Sequence, residues 1–167
     1  MGGLRRSPES SRLVQQPVSS EIDSLIVALL AAEKRITDGV GWKSIGRADY
    51  SSSTLRVVCP SEPKAVLRLV MQVQRRNLPQ KASFNLLLGA TRIFSLDVEP
   101  RRWHKNRKTL GTVGVTHWHT WPCEEAEPDD RTMSHKEWFW EFLQRSRTTF
   151  TGRYRKPPYE PEQLRLL

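Results

Sequence analysis

All four histidines of the chain fall between positions 104 and 135, and two of them, His117 and His119, are separated by a single residue. On a strand, side chains alternate, so both imidazoles would point to one side. Imidazole can act as a base in one step and an acid in the next near neutral pH. Arg92 and Asp97 lie on the stretch before, with His104 and Asn106 on the segment between. Cleavage of RNA by 2′-hydroxyl attack needs a base, an acid and a cation to meet the developing charge. The expected assignment is His117 and His119 as acid and base, Arg92 as the cation, Asp97 orienting a histidine and His104 beside them. That mechanism uses no cofactor.

The same residues support a second chemistry. His-x-His on a strand is a familiar ligand pair, and His104 with Asp97 or Cys123 would complete a transition-metal site. The plain alternative is structural, because His and Trp on a sheet face often only pack and hydrogen-bond.

The segment around the histidines is basic and aromatic. In EPRRWHKNRKTLG, the residues Arg101, Arg102, Lys105, Arg107 and Lys108 would hold a phosphate backbone, with Asn106 among them. Trp103, Trp118 and Trp121 would stack bases. The formal net charge is +9, which favours polyanions. The expected partner is nucleic acid, RNA foremost, with an antitoxin or another protein partner as a further expectation. A nucleic-acid- or protein-binding module without catalysis is the alternative to a ribonuclease.

These residues need elements to position them. Ile22, Leu25, Ile26, Leu29 and Leu30 recur at helical spacing, so a helix is expected from about Ser20 to a stop at Asp38-Gly39. Trp42 to Arg47 and Thr54 to Cys59 flank the turn-rich DYSSS and read as a hairpin. Leu67, Leu69, Met71 and Val73 alternate with Arg68, Val70, Gln72 and Gln74, the period of a strand. Asn77-Leu78-Pro79 reads as a turn. Ser83 to Leu88 and Arg92 to Val98 follow as strands around Gly89, and one strand is expected from Thr112 to Trp121. Glu124 to Asp130 reads as a solvated acidic loop. Ser134 with Glu137 forms a capping box before a last helix that buries Trp138, Phe142 and Phe139. The fold expected is α+β, a mostly antiparallel five- or six-stranded sheet with an N-terminal and a C-terminal helix on one face. The domain spans 19–149, between a basic tail over 1–18 and a Pro-rich basic tail over 150–167.

Composition excludes several classes. No CxxC occurs, which removes zinc ribbons and thioredoxin motifs, and Cys59 reads as a small buried hydrophobe. The most apolar run, Leu25 to Ala32, is far short of the ~20 residues of a membrane span, so no membrane partner is expected. MGGLRRSPESSRLVQQ has no apolar run of the signal-peptide kind. A cytoplasmic chain with reduced thiols is expected.

The stretch FNLLLGATRIFSLDVEPRRWHKN, taken with VTHWHTW, resembles the core of a family of small bacterial proteins that are toxin-like or associated with mobile elements. The shared pattern is Arg92, Leu96-Asp97, His104-Lys105-Asn106 and His117-Trp118-His119, and it covers about a third of the chain. A long basic insert between His104 and His117 and a Trp-Pro-Cys after the second strand depart from that pattern. The resemblance implies that this cluster is the site, in a protein of toxin or bacterial-defence type.

Overall fold

The structure is a computed structural model that describes residues 18–46, 49–76, 78–100, 104–106, 111–123 and 125–160, with backbone only at 18–20. Chain order is α1 (Val18–Ala31), β1 (Lys34–Ile36), β2 (Lys43–Ser44), β3 (Tyr50–Val57), β4 (Leu67–Gln74), β5 (Ala82–Leu88), β6 (Thr91–Val98) and β7 (His104–Lys105). Then come β8 (Thr112–Gly114), β9 (Thr116–Thr120), β10 (Ala126–Pro128), α2 (His135–Arg145) and β11 (Thr148–Phe150). The fold is α+β, as expected, with helices before and after the main sheet.

Among the described residues that sheet has seven strands in the order β10-β9-β6-β5-β4-β3-β2, and every neighbouring pair is antiparallel. The count exceeds the expected five or six because one unexpected edge strand joins it: β10 occupies the middle of the acidic segment expected to be a loop, whereas β2, at the other edge, falls within the strand expected from Trp42 to Arg47. DYSSS is not a turn either, since Tyr50 to Ser53 pair with Met71 to Gln74. A short parallel pair joins β1 to β11.

Period-two patterning decides which face is buried. Leu67, Leu69, Met71 and Val73 are all buried, as are Phe84, Leu86, Phe94, Leu96 and Trp118 on the neighbouring strands. Each such side chain contributes roughly 1.5–3 kcal/mol relative to exposure. Helix α2 lays Trp138, Phe139, Phe142 and Leu143 on this face, and Phe142 stacks on Phe84 at 5.7 Å and on Trp118 at 6.1 Å. The capping box is in place, with Ser134 Oγ accepting from Glu137 N and Glu137 Oε2 accepting from Ser134 N.

The first helix differs from expectation. Ile26 and Leu29 are fully buried, but Ile22 is 46% exposed, so the apolar stripe is narrower than the sequence spacing suggests. The helix stops at Ala31, well before Gly39. Lys34 turns inward there, and its Nζ donates to the Leu29 and Ala32 carbonyls at 2.6 Å each. Those carbonyls lack helical partners at a C-terminus, and the cation answers them. Burial lowers the pKa of that ammonium. Over residues 151–160 the chain lies against the domain, with main-chain bonds from Val40 N to Arg153 O and from Glu160 N to Arg75 O. Tyr154 packs on Phe139, and Gly152 approaches the Asp38 backbone so closely that a Cβ would collide with it. The segments 1–17 and 161–167 and residue Asn77 of the expected turn lie outside the described residues.

His135 opens α2 between Trp42 and Phe84, with Nδ1 2.9 Å from the Tyr154 hydroxyl. Burial pushes its pKa down to about 4. A histidine whose folded pKa lies below its unfolded value stabilises the fold fully above about pH 6.5 and progressively less as pH falls toward 4. Over that window the metal-free protein should lose roughly 3 kcal/mol through this group, from the ~1.36 kcal/mol per pKa unit. Denaturant titrations at pH 7 and pH 4.5 check this, since His135→Gln should flatten the pH dependence and an unchanged slope would refute it.

Candidate metal centre

Strand β9 lies between β6 and β10, and its register sets the site. His117 stands opposite Asp97, His119 opposite Ser95, and Trp118 opposite Leu96. Alternation therefore sends Trp118 into the core and both imidazoles to the other face. The single strand expected from Thr112 to Trp121 is in fact two. Gly114 has φ +89, a conformation that side chains rarely adopt, and it breaks the ladder. Its N-terminal half, β8, pairs with β7 instead, with His104 opposite Gly114. The β7–β8 hairpin folds back over β9 and carries His104 onto His117.

Three imidazoles meet there. The rings of His104 and His117 stack at 4.4 Å, while His119 stands edge-on to each, at 5.5 Å and 5.1 Å. One potential ligand atom from each of the three lies within 4.8 Å of the others. Asp97 Oδ2 is 3.8 Å from Nε2 of both His117 and His119, and Arg92 Nη1 is 4.0 Å from the same oxygen. The five residues assigned to catalysis from the sequence thus form one cluster. His117 and His119 are buried, whereas His104 and Asp97 are half-buried and Arg92 is exposed, so the cluster faces solvent on the Arg92 side.

Burial governs the charges. The His117 pKa is pushed down to about 4 by desolvation, helped by His104 and His119 beside it. Desolvation and then Arg92 lower that of His119, with the main-chain carbonyls of Glu125 and Cys123 acting the other way. Desolvation raises Asp97, against the pull of Arg92. Cys123 holds a left-handed φ of 64. Its Sγ lies 3.5 Å from the Arg92 carbonyl oxygen, and burial pushes the thiol up. Nδ1 of His117 and Ser95 Oγ are buried without a hydrogen-bond partner among the described residues. Most buried polar atoms in proteins have one, and these two lie on neighbouring rungs of one face.

The donor set suits a transition metal. Neutral imidazole is the ligating form, and imidazole with carboxylate suits zinc, iron or nickel. With bonds of ~2.0–2.1 Å, tetrahedral donors stand roughly 3.3–3.4 Å apart. To reach that spacing the 3.8 Å Asp97 contacts would have to close by about half an ångström, and the imidazole donors, which lie within 4.8 Å of one another, by up to about 1.4 Å.

The residues assigned to nucleic acid fare differently. Trp118 is 1% exposed and cannot stack a base. Its Nε1 donates to Asp129 Oδ2 at 2.9 Å, and Arg145 lies over its ring at 4.3 Å. Trp121 is half-buried and donates to Asp23 Oδ1 of α1 at 3.0 Å. Asn106 is a clamp, because its side-chain amide accepts from Ala126 N at 2.8 Å and donates to Ala126 O at 3.1 Å, tying the hairpin to β10. Lys105 is exposed. Arg101, Arg102, Trp103, Arg107 and Lys108 lie outside the described residues.

Sequence reasoning missed Asp129, which looked like part of a solvated loop and is buried beneath Trp118, Arg131 and Arg145. It also missed Ser95, which only the β6–β9 register brings beside His119. Comparison of the chain with protein-family models, with curated proteins and with solved structures finds no match. The Asp129 network should be structural. Hydrogen bonds from Arg131 hold that carboxyl well below the usual carboxylate range. Asp129→Ala should cost roughly 2–4 kcal/mol by stranding the Trp118 N–H and the arginines. Urea unfolding reads this, and a loss under about 0.5 kcal/mol would show that the network is dispensable.

Proposed function

We propose that this protein is a nucleic-acid-directed hydrolase built around a divalent transition metal held by His104, His117 and His119, with Asp97 as the fourth donor. Convergence carries the proposal. Three potential ligand atoms, one from each histidine, lie within 4.8 Å of one another, and one carboxylate oxygen lies 3.8 Å from Nε2 of both His117 and His119. Bound there, the metal would act as a Lewis acid and lower the pKa of a coordinated water. Arg92, exposed and 4.0 Å from the Asp97 carboxylate, would hold a phosphate oxygen beside that water. The net charge of +9 favours a polyanionic substrate over a neutral one.

A metal-free ribonuclease is the second reading, favoured by the way Asp97 touches both histidines and Arg92. It asks a buried imidazole to gain and lose protons near pH 7. The burial that holds His117 near pKa 4 opposes that.

Two measurements test these readings. Protein purified without a polyhistidine tag and stripped with EDTA should take up about one zinc or cobalt per chain. At a hundredfold excess over Kd, ~2.7 kcal/mol of linkage should raise Tm by roughly 5–10 °C. His117→Ala and His119→Ala should abolish the shift, and no uptake by the wild-type chain would end the metal reading. In the second measurement, RNA cleavage that EDTA removes and zinc restores would support the metal hydrolase. Cleavage unaffected by EDTA, leaving 2′,3′-cyclic phosphates and falling roughly 10²-fold in each alanine variant, would establish the metal-free mechanism in its place.

A further inference from the structure

The register extends the histidine face sideways across the sheet. His117 and Asp97 continue a rung through Ser83, Gln72 and Ser52. His119 and Ser95 continue one through Asn85, Val70 and Thr54. The next rung is Arg56, Arg68, Leu87 and Arg92. On β3, β4, β5 and β6 these residues alternate with the buried Leu55, Leu69, Leu86 and Leu96, so they occupy the face that the helices leave open; Arg92, out of step with that alternation, joins them through the irregularity between Leu86 and Leu87 that pairs it with Leu87, beside Asp97. All three arginines are exposed.

Two of the arginines are an anomaly. Arg56 and Arg68 stand directly opposite each other on antiparallel strands, where like charges repel. Arg68 Nη2 donates to the Gly89 carbonyl at 2.9 Å. The Arg56 guanidinium has no hydrogen bond or ion pair among the described residues. Beside the pair is a cavity of about 520 Å3, lined by Arg56, Arg68, Thr54, Val66 and Asp38 among others. Asp38, the acid there, already accepts the main-chain N–H of Arg56 at 3.1 Å. At ~4.8 Å per strand, Arg68 and Arg56 lie roughly 10 and 14 Å from Arg92 across the sheet. A small phosphate ester cannot span that distance, but a polymer can. The β7–β8 hairpin stands over the histidines, toward the β9 and β10 margin of the sheet, and the row of arginines crosses the strands beyond it, where an extended single strand can lie flat.

We propose that this open sheet face is a binding track for single-stranded nucleic acid, in which Arg56 and Arg68 form a phosphate subsite and Arg92 leads the chain to the histidine cluster. Where the track leads rests on the proposed hydrolase, but the arginine subsite does not.

Fluorescence anisotropy with a labelled single-stranded oligonucleotide, RNA and DNA compared, tests the subsite in EDTA, where no metal is bound. Arg56→Gln with Arg68→Gln should weaken binding at least about tenfold. It should also flatten the log Kd against log salt slope by about 1.4, at ~0.7 per phosphate contact. Arg56→Gln alone should give half that slope change, and it removes no bond seen among the described residues. Lys136→Ala, an exposed cation on α2, should leave affinity and slope as in the wild type. Unchanged affinity and slope in the arginine variants, equal weakening by Lys136→Ala, or no wild-type binding at low salt would each overturn the track. Zinc uptake measured on the same double variant reads the metal centre separately. Loss of the track with intact metal binding, or the reverse, therefore tells which of the two ideas has failed.

Discussion

Everything at the candidate site depends on one pairing, the antiparallel register between β6 and β9. With Asp97 opposite His117 and Ser95 opposite His119, one strand serves two environments. Trp118 goes down among Phe94, Trp138 and Phe142, and the imidazoles go up against Asp97. A slip of one residue would put both histidines into an aromatic core and the tryptophan into solvent. The buried aromatic cluster is therefore what keeps the polar cluster in place, and the Trp118–Asp129 hydrogen bond fixes that side chain further.

The second constraint is dehydration. Histidines on an open sheet face would stay close to their ordinary acidity. Here the β7–β8 hairpin lies over them, pinned by the Asn106 amide on Ala126 and by the stacking of His104 on His117. Excluding water favours neutral imidazole and neutral carboxyl, and it strengthens any interaction with an incoming cation or phosphate. The polar atoms left unpartnered beneath the hairpin belong to the residues that would contact such a ligand. That is a local conflict of the sort that marks function more often than packing.

Much of this was legible in the sequence where pattern and structure share a period. Alternation over Leu67 to Val73 is enough to assign the core face of β4, and His-x-His is enough to put two imidazoles on one side. Ser134 with Glu137 marks the start of α2 because the capping interaction is local. What depends on distant partners is not readable in this way. Nothing near Lys34 announces that the helix ends before it, because the cause is a buried cation reaching back to two carbonyls. Gly114 looks like any strand glycine until its partner in β7 is known. Trp118 looks like a stacking platform, and Asp129 like one acid in a solvated run, until the fold sets them against each other. Charge and the basic segment after Val98 suggested a nucleic-acid surface, but the arginines that share the histidine face come from three different strands, β3, β4 and β6.

The Asn106 amide has a further effect. Ala126 presents its N–H and C=O away from β9, on the outermost strand of the sheet, and the side chain of Asn106 takes up both. In effect it adds one residue's worth of strand and then stops. Pro128 withholds another donor two positions on. At the opposite margin, β2 is two residues long and carries Lys43. Exposed sheet margins are templates for pairing with another chain, and shortness, proline, lysine and occupied main-chain groups are the usual means of blunting them. The clamp that closes the histidine cluster thus also guards the sheet against growing, strand by strand, into an aggregate.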